Sequence, residues 1–289
     1  MSRIRVLGFF LCFATLSAQA GDRLFSPSCR CDARDPYDQG PVMPQGRHKG
    51  VCQDTCYFRG LVLLPSENPE IFRVANIRHR GVFYTADIPA DAIDEVIWQI
   101  VDAPNAMNFP AGHTETRWRL KKPLSLTPQI PGKGTPTTVM NLIFSIEGAY
   151  PEGVDFNLFT GGMKGDYVIA YRLRTIDDLL PETVQGSPFK EVMQYSVILN
   201  DAQKRGILKN SLEAANAAGP FQIYNSVHKN CSTEAFEVAL DPTIGRAKSK
   251  VKQFDMVYPV WNPQALQERG VFGKQIPPLS QEVLTSSAR

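Results

Sequence analysis

The 289-residue chain lacks a charge surplus of either sign: 31 Lys and Arg stand against 29 Asp and Glu. Binding a phosphate backbone needs a clustered basic excess, so a nucleic-acid partner is not expected. Beyond residue 20 no apolar run reaches the length of about 18 residues that marks a membrane-spanning helix. Glycine (21) and proline (22) are too few for a low-complexity disordered chain. Gly161, Gly162 and Gly165 cluster without the spacing and following Ser or Thr of a phosphate-binding loop, so a tight turn is expected there. No internal repeat is visible, and histidine is scarce, with four in all. A chain of this length and 43% hydrophobic content can bury one full core, with a small appendage at most.

What is present begins with an export pattern. Arg3 and Arg5 precede an apolar run over 6–16, and Ala18-Gln19-Ala20 supplies a small-x-small cleavage site before Gly21. Residues 1–20 are therefore expected to be a cleavable signal peptide and the remainder to be periplasmic. Gly21 rather than Cys follows the site, so no lipid anchor is expected. Removing Arg3 and Arg5 leaves 29 basic and 29 acidic residues, and charge gives no guide to a partner.

The six cysteines then sort by position. Cys12 leaves with the signal. Cys29, Cys31, Cys52 and Cys56 cluster in a Pro-, Gly- and Asp-rich segment with little hydrophobic periodicity, which burial alone would not hold. In an oxidising compartment two disulfides are the expected staple. Three pairings exist, and Cys29 and Cys31 are each expected to reach one of Cys52 and Cys56. The alternative is a four-thiolate zinc site, with His48 nearby, although C-x-C and C-x-x-x-C are not the usual double C-x-x-C.

Cys231 is the odd cysteine. Ala235, Phe236, Ala239 and Leu240 give one helical face, Pro242 stops it, and Asn230 is a suitable N-cap, which puts Cys231 at the first helical position. There the amides and the helix dipole favour a thiolate, the nucleophilic form. A small buried hydrophobe is the plain alternative. Such a nucleophile needs a base. His48 falls in the cysteine-rich segment, His79 sits between Arg78 and Arg80 and reads as a solvated charge, and His228 has unfavourable local geometry three residues before Cys231. His113 is the better candidate, because alternation over 110–120 puts His113, Glu115 and Arg117 on one strand face and Thr114, Thr116 and Trp118 on the other. A strand presenting His towards a helix N-terminus that carries Cys makes a nucleophile and base pair.

Four motifs follow one another: Gly112-His113-Thr114-Glu115-Thr116-Arg117, then Leu158-Phe159-Thr160-Gly161-Gly162-Met163-Lys164-Gly165-Asp166-Tyr167, then Glu191-Val192-Met193-Gln194-Tyr195 with Leu199-Asn200-Asp201-Ala202-Gln203, then Asn230-Cys231-Ser232-Thr233. Their order resembles the N-terminal periplasmic domain of the Lnb lipoprotein N-acyltransferases, over residues 94–272. More distantly, a His strand before an Asn-Cys helix is similar to the circularly permuted papain-like enzymes of the NlpC and lecithin:retinol-acyltransferase-like groups. The resemblance implies Cys231 as nucleophile and His113 as general base, with Arg117 either orienting a substrate anion or pairing with an acid such as Glu115. It also implies an α+β, circularly permuted papain-like domain over 67–272, an antiparallel sheet packed on helices. No cofactor and no metal are implied, and the substrate would be an acyl-lipid, lipoprotein or peptide of the envelope, met at a membrane surface.

In the implied reaction His113 takes the Cys231 proton and the sulfur attacks an ester or amide carbonyl, giving a thioester that passes to water or an amine. Amides at the start of the Cys231 helix, Tyr224 and Asn225 are candidate oxyanion donors. Asn141, Ser145 and Glu147 are unranked candidates for the group that orients His113. Around the site, strands are expected over 72–84, 96–101, 114–120, 138–146 and 167–173 from β-branched and aromatic content. Residues 190–194 lead into an apolar segment that is ambiguous. A helix is expected over 201–218, capped by Asn200 with Gln203 and ended by Gly219-Pro220. The charges over 247–252 read as a solvated face. The expected organisation is a signal over 1–20, a stapled segment over 21–66, the domain over 67–272 and a poorly ordered tail over 273–289. Three functions compete: a thiol acyltransferase or hydrolase, a catalytically silent binding module on the same fold, and a metal-binding protein using the four N-terminal cysteines.

Overall fold

A computed structural model describes residues 25–103, 111–183, 191–219, 222–240, 243 and 263–282. The signal-like start, Pro220, Pro242 and the charges over 247–252 lie outside the described residues.

Alternating apolar and polar residues with many β-branched and aromatic side chains make the chain from residue 62 predominantly strand. Nine strands are described: β1 (Val62–Leu64), β2 (Ile71–His79), β3 (Val82–Pro89), β4 (Ile93–Ala103), β5 (Ala111–Pro128), β6 (Thr137–Ala149), β7 (Val168–Thr175), β8 (Val192–Val197) and β9 (Phe272–Ile276). They form one sheet in the order β1-β2-β7-β6-β5-β4-β8-β9, with β3 joined to both β2 and β5. The pairings of β2, β3, β5, β6 and β7 therefore return on themselves as a closed ring. β5 makes this possible by its length and by a register shift between Arg119 and Leu124, beyond which it reaches β3 at Thr127 and Pro128. The sheet is mixed rather than wholly antiparallel, since β2 and β7 run parallel. The fold as a whole is α+β, rich in sheet and poor in helix.

Several boundaries differ from those expected. The single strand over 72–84 is a hairpin, because Arg80 and Gly81 both take positive φ (48° and 76°) and form a two-residue turn. The ambiguous apolar segment is strand, and β8 already begins at Val192. The tail expected to be poorly ordered contributes β9 on β8, and Glu282 beyond it pairs with buried Arg117.

Helices are α1 (Ile176–Leu179), α2 (Asp201–Ala218), α3 (Cys231–Ala235) and α4 (Pro263–Glu268), with a π-helical turn, Phe236–Leu240, continuing α3. α2 spans the expected residues, with the Asn200–Gln203 capping box formed and Gly219 at its end in positive φ. Its buried stripe of Ile207, Leu208, Leu212 and Ala215 joins Trp98, Trp118, Phe144 and Phe236 in the main core.

The opposite face of β5, β6 and β7 is polar yet buried, carrying Glu115, Arg117, Ser145, Arg172 and Arg174. Leu179 and Leu279 cover one end of it with Val101, Ile143 and Val192. Disulfides Cys29–Cys52 and Cys31–Cys56 staple the segment that covers the other end, where Met43 and Phe58 pack on Ala149, Val168 and Ala170. Arg59 anchors that segment internally by pairing with Asp35 and Asp38. Asn76, in the bulge of β2, donates to the carbonyls of Tyr37 and Gly60.

Candidate active site

Cys231 stands where the sequence placed it, at the first position of α3. Asn230 caps the helix, its carboxamide oxygen accepting from the Ser232 and Thr233 amides at 2.9 and 3.0 Å, while the Thr233 hydroxyl accepts from the Asn230 amide. Ala235, Phe236, Ala239 and Leu240 bury the apolar side of the helical segment. A hydroxyl pair, Thr114 with Ser232 at 2.9 Å, ties α3 to β5 beside His113.

The Cys231 sulfur lies 3.9 Å from the Ser232 hydroxyl, which bonds Thr114 next to His113, and the His113 ring is near enough to the sulfur for their charges to interact. Cys231 is buried, 8% exposed as a residue, whereas the His113 side chain keeps 29% of its surface open. The pair is thus sheltered but reachable. His113 Nε2 is 2.9 Å from Ser145 Oγ, and Ser145 donates to Glu147 Oε1 at 2.7 Å. Arg172 Nη1 donates to the same carboxylate oxygen at 2.7 Å. Glu115 Oε2 lies 3.9 Å from His113 Nε2 and accepts from Arg174 Nη2 at 3.0 Å.

Electrostatics set the protonation of the pair. Burial pushes the Cys231 thiol up, but the His113 charge and hydrogen bond, then the Thr114 amide and hydroxyl, outweigh it and bring the pKa down to about 7. Burial pushes His113 down, and Cys231, then Glu147 and Glu115, carry it up to about 9. Both shifts favour the thiolate and imidazolium form, in which the pair keeps one of its two titratable protons, and the two titrations belong to the pair rather than to either residue. Glu147 is held well below the ordinary carboxylate range: burial opposes this, but Arg172, Arg174 and His113 prevail. Among the three candidates for orienting His113, the geometry selects Ser145 with Glu147 behind it. Asn141 instead accepts from Arg117 Nε at 2.8 Å.

Other sequence-derived candidates fare differently. Arg117 is buried, with Nη1 and Nη2 at 2.7 and 2.8 Å from the Glu282 carboxylate and Nη1 at 3.1 Å from Gln194 Oε1. Its charge is thus met by an acid, as in the structural alternative, but the acid is Glu282 rather than Glu115. Asn225 is spent on a turn: its oxygen accepts from the Val227 and His228 amides, and its nitrogen donates to the Met163 carbonyl. Tyr224 is buried edge-on to Phe156, and burial followed by the Cys231 and Glu147 charges holds its hydroxyl well above the ordinary phenol value. A protonated phenol in the field of the thiolate keeps Tyr224 in place as a donor candidate. His79, read as a solvated charge, is buried, with Nδ1 2.9 Å from the Thr175 hydroxyl and Tyr84 edge-on. His228 is exposed. The zinc alternative falls because all four N-terminal thiols are consumed in disulfides. Among the described residues no group of three or more His, Cys, Asp or Glu is placed to hold a metal.

Arg172 and Arg174 were not singled out from the sequence. Their signal is the alternation Tyr171-Arg172-Leu173-Arg174, which puts two arginines on one face of a strand whose other face is apolar. No family model, curated protein or solved structure matches the chain. Disulfides are present, and among the described residues no helix is long and apolar enough to cross a membrane, which is compatible with an exported protein.

Proposed function

We propose that the protein is an exported thiol-dependent acyltransferase or hydrolase acting on a lipid ester, amide or peptide bond of the cell envelope, on a permuted papain-like arrangement and with chemistry related to lipoprotein N-acylation. The observation that carries this reading is the placement of Cys231 at the first position of α3 beside His113, with the Thr114–Ser232 hydroxyl pair tying the two elements together; the His113 charge, which lowers the thiol against its own burial, supports it. The thiolate attacks the carbonyl carbon, and the C–S bond forms as the leaving alcohol or amine takes its proton from the His113 imidazolium. Water or an acceptor amine, deprotonated by His113, then cleaves the thioester and frees the sulfur.

Asn230 takes two amides of the first turn, which narrows the helix's part in oxyanion binding to the Cys231 amide, with the Tyr224 hydroxyl as the side-chain partner. Phe156 and Met163, 42% and 48% exposed on the loop that meets Tyr224 and Asn225, favour a substrate with an apolar portion.

The test is incubation of the oxidised protein with an acyl p-nitrophenyl ester or acyl thioester, followed by intact mass. An acyl adduct on Cys231 that hydroxylamine removes and His113→Ala abolishes is the expected result. Absence of any adduct, with Cys231 alkylated no faster than a free thiol, overturns the enzyme reading and leaves a binding module.

A further inference from the structure

We propose that Glu147 is the anionic anchor of the catalytic base, acting on His113 through Ser145, and that the disulfide-stapled segment holds this anchor in place by laying Tyr57 over Arg172. The proposal rests on the Cys231–His113 reading and adds positioning residues to it.

A serine hydroxyl has one proton to give. Ser145 gives it to Glu147 Oε1, so its oxygen is left to accept from His113 Nε2–H at 2.9 Å. This fixes Nδ1 as the nitrogen left for the thiol and favours the imidazolium once the ring takes the Cys231 proton. Glu115, 3.9 Å from the same Nε2 and bonded to Arg174, contributes charge but no hydrogen bond. The groups acting on the pair are thus Thr114 and Glu115 from β5 and Glu147 from β6, with Arg172 and Arg174 from β7 neutralising the two acids and Tyr224 beside the thiol.

Arg172 links the anchor to the stapled segment. One guanidinium nitrogen holds Glu147, and the same group lies 4.3 Å from the centroid of the Tyr57 ring and 5.6 Å from that of Phe58. Tyr57 directly follows disulfide-bonded Cys56, and its hydroxyl donates to Glu182 at 2.6 Å. Glu182 in turn accepts from Arg174 and Arg78. The appendage is therefore joined to the same polar network that holds Glu147.

The rate of Cys231 alkylation by iodoacetamide against pH, on the full oxidised chain, tests this without any substrate. Wild type should be half-maximal near pH 7, and His113→Ala should move the midpoint towards the free-thiol value of about 8.5. Ser145→Ala and Glu147→Gln should each lower the rate at pH 7 by roughly three- to tenfold through a midpoint shift, and their double variant should be no worse than the more affected single one. Ser145→Thr, which restores the hydroxyl, should recover most of the loss. Tyr57→Leu and the paired Cys31→Ser/Cys56→Ser variant should each cost about two- to threefold in the same direction.

Glu147→Gln leaves the Arg172 charge uncompensated; if that variant does not fold, Ser145→Ala carries the test with the Glu147–Arg172 pair intact. A wild-type profile for Ser145→Ala while His113→Ala still shifts overturns the anchor and spares the base. Additive losses in the double variant overturn action through Ser145, and an unmoved Tyr57→Leu profile overturns the role of the stapled segment. No shift with His113→Ala sinks the underlying pair itself.

Discussion

The two faces of β5, β6 and β7 are built from alternate residues of the same strands and obey different rules. On one face Trp118, Phe144, Ile146, Tyr171 and Leu173 are buried under α2 and the α3 segment, where apolar burial stabilises them and the Tyr171 hydroxyl donates to Glu234. On the other, Glu115, Arg117, Ser145, Arg172 and Arg174 are equally buried but carry charge or a polar group. Desolvating so many ions costs about as much as their pairing returns, so this face is a poor way to stabilise a sheet. Its return is an electrostatic field: Arg172 and Arg174 hold Glu147 anionic, and Glu147 and Glu115 add to the larger effect of Cys231 in raising His113. One face makes the fold, and the other contributes to the charge balance around His113.

Four substitutions or conditions sharpen that division. The largest effect is expected from Cys231→Ala, which should lower turnover of any accepted acyl ester by about a thousandfold or more while leaving the melting temperature nearly unchanged. Trp118→Ala, on the apolar face, should do the reverse: roughly 3–5 kcal/mol lost in denaturant titration, with an unaltered alkylation midpoint in the folded protein. A large midpoint shift there would break the separation of the faces. Next comes pH. A lowered thiol and a raised imidazole mean that alkylation should climb about tenfold per pH unit up to about 7 and then level off, whereas turnover, which needs the imidazolium as acid, should fall again above about 9. A turnover profile still rising at pH 10 would contradict the second limb. Asn230→Ala should be the mildest, costing about 1 kcal/mol of stability through the lost cap.

Local signals carried much of this into the sequence. The Asn200–Gln203 box and the apolar stripe gave α2 its bounds, and the Asn230 cap with Pro242 placed Cys231 at a helix start, because capping chemistry is decided within a few residues. The alternation around His113 gave its strand face. What was not legible depended on register between strands. Asn141, Ser145 and Glu147 share a face, and only the pairing of Glu115 with Ser145 and of Ser145 with Arg172 picks out which of them meets His113. Arg117 illustrates the same point, since its partner Glu282 lies in a segment whose composition read as a loose tail. The Arg80-Gly81 turn was hidden because arginine rarely adopts a positive φ.

The interlaced bridges at Cys29–Cys52 and Cys31–Cys56 also bear on how the chain is made. A chain emerging from its N-terminus presents all four staple thiols long before Cys231 appears, so the native bridges can close before Cys231 competes for them. Cys231, acidic enough to be a strong competitor in disulfide exchange, arrives only afterwards and ends up buried in the finished protein. Vectorial synthesis thus separates in time two sulfur chemistries that would interfere if these thiols were refolded together, and refolding from the reduced state should yield scrambled isomers involving Cys231 that Cys231→Ala removes.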